Sequence, residues 1–144
     1  MLQRIIRTDN AASTILIRLI AGVVFVSEGI QKFLFAQKLG AGRFAKIGLP
    51  NPEFLGPFVG CSEIVCGLCI LIGLLTRLAV IPLIIIMLTA ISTTKIPILI
   101  SDGFWIMIHE SRTDWAMLLS CIFLLIKGGG RWSVDRKITK QRWK

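Results

Sequence analysis

Three stretches of this chain, residues 13–34, 54–75 and 78–94, are almost continuously apolar. A fourth, residues 105–127, is apolar over its second half. A helix needs about 20 apolar residues to cross the hydrocarbon core of a bilayer. In lipid every backbone N–H and C=O must be paired within its own segment, so such stretches fold as helices. The expected fold is all-α, an integral membrane four-helix bundle, with residues 1–144 as one transmembrane domain. With 54% hydrophobic residues and a mean hydropathy of +0.75, the chain is too apolar for a soluble domain of its size. What remains outside the spans is too short for a second domain.

The connections carry their own signals. Pro50-Asn51-Pro52 punctuates the first, and only Thr76-Arg77 separates the second and third spans, which implies a tight antiparallel hairpin. Pro82 falls in the first turns of the third span, where it can kink the helix. The fourth span has two readings. A helix starting near Phe104 takes His109, Glu110, Arg112 and Asp114 to membrane depth. A helix starting at Ser111 uses Ser111-Arg112-Thr113-Asp114 as a capping signal and leaves Trp105 as an interfacial anchor. The continuous helix is preferred. Arg4 and Arg7 before an apolar stretch imitate a signal peptide, but the stretch is too long and no A-x-A site follows it. It reads as an uncleaved first helix.

The net charge is +9, and 7 of the 17 lysines and arginines lie in the tail from Lys127 to Lys144. A basic tail beside a membrane helix sits on anionic lipid, worth about 1 kcal/mol per basic residue near the surface. The lipid bilayer is therefore the expected partner and nucleic acid is not. The positive-inside rule sets the orientation. With a cytoplasmic N-terminus, eleven of the 17 basic residues fall inside, counting Arg18 as snorkelling there. Both termini, and the basic tail 128–144, are then expected in the cytoplasm.

Glu28, Glu63, Arg112 and Asp114 lie where lipid tails belong. Charges at that depth are costly, usually face the protein interior, and mark a pathway or site. At 3.6 residues per turn, Gly22, Phe25, Glu28, Gly29 and Lys32 share one stripe of the first helix. Glu28 and Lys32 form an i, i+4 pair. Gly56, Gly60, Glu63 and Gly67 share one face of the second helix, with a small-xxx-small spacing that admits close approach. His109, Arg112, Thr113, Ala116 and Ser120 make a polar, small stripe on the fourth, with Asp114 nearly opposite Arg112. All four charges fall in the outer half of the bundle. The expectation is a buried polar pocket open to the non-cytoplasmic side, with Glu63–Arg112 as the central ion pair and Glu28–Lys32 beside it. The ligand-binding candidates are Glu28, Gln31, Lys32, Glu63, His109, Arg112 and Asp114. A structural clasp between helices accounts for the same charges equally well.

Other motifs carry less. Cys66-Gly-Leu-Cys69 has dithiol spacing but lies inside an apolar helix, without the βαβ context of a redox motif. Cys61, Cys66, Cys69 and Cys121 read as small apolar filler. His109 is the only histidine, which excludes a bis-histidine haem within one chain, and no metal signature is found. Gly40-Ala41-Gly42-Arg43 is not a phosphate loop. Gly128-Gly129-Gly130 reads as a helix stop and flexible exit. Residues 35–49 mix Phe, Leu, Lys and Arg as a short interfacial helix would, either a lid over the pocket mouth or a passive connector.

Several of these segments together resemble the DoxX family. Ser27-Glu28-Gly29-Ile30-Gln31-Lys32-Phe33 is similar to its first-helix signature, and Gly42-Arg43-Phe44-Ala45-Lys46-Ile47-Gly48-Leu49-Pro50 to its first loop. Val59-Gly60 through Glu63 and Gly67, then Gly73-Leu74-Leu75-Thr76-Arg77, resemble its second helix and turn. Gly130-Arg131-Trp132-Ser133-Val134-Asp135 resembles its C-terminal close. The resemblance implies a bacterial inner-membrane protein of four helices. It further implies a membrane component of a redox system linked to quinone or sulfur compounds, quinone being the possible cofactor. A non-enzymatic adaptor for a partner oxidoreductase subunit is the alternative, and a homodimer is possible. The Cys66–Cys69 pair is not part of the signature, and the stretch between Thr94 and Phe104 is short for the family.

Overall fold

The computed structural model describes Asp9 and residues 11–141, and every regular element among them is helical. Arg4 and Arg7 of the orientation argument, and Arg142 and Lys144 of the tail, lie outside the described residues. The order is α1 (Thr14–Leu34), two short helices α2 (Ala36–Leu39) and α3 (Ala41–Lys46), and α4 (Pro52–Ile72). There follow α5 (Thr76–Ser101), α6 (Phe104–Lys127) and α7 (Val134–Gln141). Three of these, α1, α4 and α5, are long and apolar enough to cross a membrane. The fourth long helix, α6, has 24 residues and carries the charged cluster in its first half. The outer surface is apolar: Leu16, Ile20, Val23, Phe58, Val65, Ile85 and Leu119 all project from the bundle.

Local chemistry sets the helix ends. Asn51 takes the left-handed conformation that asparagine tolerates, and Pro52 follows at the start of α4, where its missing N–H costs nothing. At the other end, Gly73 is left-handed, and the N–H groups of Gly73 and Leu74 donate to Ile70 and Cys69 carbonyls. This is a Schellman ending, with Leu75, also left-handed, turning the chain into α5.

The third helix runs past the 94 expected from sequence. Its backbone passes through a π turn at Ile91–Lys95 and continues as Ile96–Ser101. Pro97 sits in the first turn after the π segment, so it does not stop the helix. Only Asp102 and a left-handed Gly103 then separate α5 from α6. Ser111 lies buried inside α6, its hydroxyl donating to the Met107 carbonyl at 2.7 Å, so it is not a helix cap.

Glycines hold α1 against α4. A Cβ on Gly29 would meet the Gly60 carbonyl at 2.6 Å, and one on Gly67 would meet the Gly22 carbonyl at 3.1 Å. Backbone approach of this kind gives membrane helices their packing contact. The apolar core lies between the helices, with Phe25, Ile70, Val80, Leu83, Cys121 and Leu124 sealed from the outside.

Arg18 corrects the snorkelling expectation. It is 2% exposed and points into the bundle at the end where α4 turns into α5. Its Nε donates to the Ile70 carbonyl at 2.8 Å, which also accepts from the Gly73 N–H, and its Nη2 to the carbonyl of Leu71 in the last turn of α4. Its Nη1 donates to Gly129 and Trp132 carbonyls at 3.0 and 2.8 Å. The glycine run is thus not a flexible exit: Gly128, Gly129 and Gly130 are buried, and a Cβ on Gly129 would strike Ser133 and Thr76. Asp135, 1% exposed, accepts from the Leu75 and Thr76 N–H groups at 2.7 and 3.0 Å and so caps the start of α5. Asp135→Asn presents an amide donor to one of those N–H groups. It is expected to lower stability by about 1–3 kcal/mol, read as a lower melting temperature of the detergent-purified protein.

Candidate functional site

The glycine contact between α1 and α4 brings one ion pair into the bundle, near the end where α1 meets the connector. Lys32 Nζ lies 2.6 Å from Glu63 Oε2, and the two side chains are 11% and 5% exposed. Glu63 follows Gly60 by three residues and shares its inward face. Lys32 follows Gly29 by three on α1, so the two charges meet where the backbones are closest. The connector lies over this level: a Cβ on Gly40 would press on the Lys32 carbonyl, and one on Gly56 on Ala41.

Lys32 therefore does not pair with Glu28, which is exposed on the flank of α1. Glu28 still lies near enough for its charge to bear on Glu63. Gln31 occupies the same flank, half-buried, with its amide donating to the Ser27 hydroxyl at 3.0 Å.

The expected Glu63–Arg112 pair is not formed. The polar stripe of α6 that carries His109, Arg112, Thr113 and Ala116 faces away from the bundle. The reason is that Met117, Leu118, Cys121 and Leu124 occupy the opposite side and take the core. Arg112 turns back along its own helix, with Nη1 2.6 Å from His109 Nε2 and 3.0 Å from the His109 carbonyl. An arginine N–H at that nitrogen makes it the acceptor and places the imidazole proton on Nδ1, an assignment from the hydrogen-bond pattern. Asp114 does face inward. Its partner is Lys95 of α5 at 3.2 Å, and Lys95 also donates to the Glu110 carbonyl at 2.9 Å. Lys95 was missed because a third helix ending at 94 puts it in a loop. Continuing the apolar pattern through Pro97 brings it to membrane depth.

The cysteines are free thiols, Cys121 buried and Cys61 exposed. Cys66 and Cys69 line a shallow apolar cleft with Leu75, Leu78, Ala79, Ile81 and Pro82. Among the described residues no cluster of His, Cys, Asp and Glu has the arrangement to hold a metal ion. The chemistry available is that of the lysine–carboxylate pairs. An ammonium has three donors and one carboxylate does not use them all. Such a pair can donate to a carbonyl or an oxyanion and can take up or release a proton.

A family model described as DoxX matches residues 13–96. The chain belongs to the DoxX family. The match includes Glu28, Lys32, Glu63 and Lys95 and stops short of His109, Arg112 and Asp114. This DoxX protein is 49% identical over 144 residues to a Mycobacterium tuberculosis protein named "Uncharacterized membrane protein Rv3486", covering 96% of this chain and 88% of the relative. It is 27% identical over 127 residues to a Bacillus subtilis protein named "Putative oxidoreductase CatD", covering 88% of this chain and 87% of that one. No solved structure matches it. Family, relative and apolar helices agree that this DoxX protein is a membrane protein.

Proposed function

We propose that this DoxX protein crosses the bacterial inner membrane four times, with both termini cytoplasmic, and forms the membrane component of a quinone- or sulfur-linked redox system. The observation that carries the reading is the Lys32–Glu63 pair, 2.6 Å apart and nearly sealed at membrane depth. A relative named as an oxidoreductase supports the redox class. In this reading α6 is the fourth span and the outer half of the bundle receives the ligand. Lys32 donates to a ligand oxygen, Glu63 holds the exchangeable proton, and Glu28 on the neighbouring flank passes it outward. Electrons come from a partner oxidoreductase.

Glu63→Gln tests this directly. The amide oxygen still accepts from Lys32 but does not offset its charge, so the variant is expected to fold with a lowered melting temperature. Partner-dependent turnover or ligand retention is expected to be lost. A variant that no longer folds makes the pair a clasp.

The second reading is a non-enzymatic scaffold for a partner oxidoreductase. The outward-facing His109 and Arg112 favour it, because lipid does not satisfy them. On this reading, co-purification of a partner survives neutralisation of Glu63.

A further inference from the structure

The exposed face of α6 has an order of its own. His109, Arg112, Ala116, Leu119, Phe123 and Ile126 recur at alternating steps of three and four, and all are exposed. That is the spacing by which one helix packs along another in a left-handed pair. The core-facing residues of α6 lie on the other side, so this seam is not used within the chain. Ala116 at its middle is small, as close helix approach in a membrane requires.

The seam also carries an uncompensated charge. Arg112 lies about 12 Å along α6 from Phe104. Among the described residues its side chain meets His109 and no carboxylate. A second copy docking symmetrically by this face would set Arg112 and His109 against themselves. Glu110 lies about 200° around the helix from Arg112 and is out of reach of such a contact.

We propose that the outward seam of α6 docks a transmembrane helix of a different protein, and that this helix presents a carboxylate to Arg112 and His109. The inference deepens the scaffold reading by naming its surface and its chemistry. It is separable from it, because a partner recovered through another surface keeps the scaffold and removes the seam.

The test uses the full chain in phosphatidylcholine vesicles. The probe is a synthetic single-span helix of leucine and alanine with one glutamate about 12 Å below the membrane surface. Energy transfer between labels on the two is expected to saturate with added helix. Replacing the probe glutamate by glutamine, or Arg112→Leu in the protein, is expected to weaken association by roughly fivefold or more. Ala116→Trp blocks the seam while keeping the charge, leaves the core untouched, and is expected to weaken it as well. Equal association of the glutamate and glutamine probes would overturn the proposal. So would transfer between copies of the protein that persists in Arg112→Leu, which makes the occupant a second copy. Absence of association with either probe would leave Arg112 reaching only for headgroups and likewise overturn it.

Discussion

Arg18→Met is expected to lower the stability of the protein by about 3–5 kcal/mol. The guanidinium ties the end of α4 to the chain after α6. Methionine fills similar volume and donates nothing, so the carbonyls of Leu71, Gly129 and Trp132 lose the guanidinium together, and Ile70 keeps only the Gly73 N–H. Asp135, buried beside it, loses the positive charge that offsets its own. The expected readout is a melting temperature lowered by many degrees, together with easier proteolysis of the tail. Arg18→Lys is expected to recover little of this, because a single ammonium has no planar fork to span two chain segments. A melting temperature unchanged in Arg18→Met would mean that this end of the bundle is held by apolar packing alone.

Gly29→Ala is expected to rank second, at about 2–3 kcal/mol, and to be worse than Gly60→Ala at about 1 kcal/mol. Both residues sit in the same helix contact, so a simple count of lost glycine would make them equal. The neighbours distinguish them. A Cβ on Gly29 meets the Gly60 carbonyl oxygen at 2.6 Å, and backbone in a packed helix pair does not yield. A Cβ on Gly60 first meets the Phe33 ring at 2.8 Å, a side chain at the outer surface that can swing aside. Separating α1 from α4 at Gly29 also pulls Lys32 from Glu63, so ligand retention should fall with stability. Thermal unfolding of the two variants in one detergent reads the order, and the reverse order would contradict the packing account.

The inward face of α4 was legible from sequence. Gly56, Gly60, Glu63 and Gly67 recur at steps that fix them to one side, and all four are buried. The stripe on α1 was legible too, except that Glu28 sits at its edge and stays exposed while Lys32 turns to α4. Other features depend on contacts that helical spacing does not encode. The acceptors of Arg18 come from α4 and from residues more than a hundred positions later in the chain. The α6 wheel grouped His109 with Arg112 correctly, yet a wheel does not say which side meets the bundle. The rule that membrane charges face inward pointed the stripe the wrong way, because Met117, Leu118 and Cys121 on the other side bury more apolar surface. Lys95 was hidden by Pro97, whose position after the π turn removes its usual helix-breaking effect.

Lys32 and Glu63 are proposed to hold a ligand. Native mass spectrometry of the protein, gently extracted from its own membrane, tests this most directly. A defined small molecule of quinone size is expected on the parent chain and is expected to be absent from a folded Glu63→Gln variant. A parent chain that carries no such molecule, or one that Glu63→Gln retains equally, would contradict the proposal and leave the buried pair as a clasp between two helices.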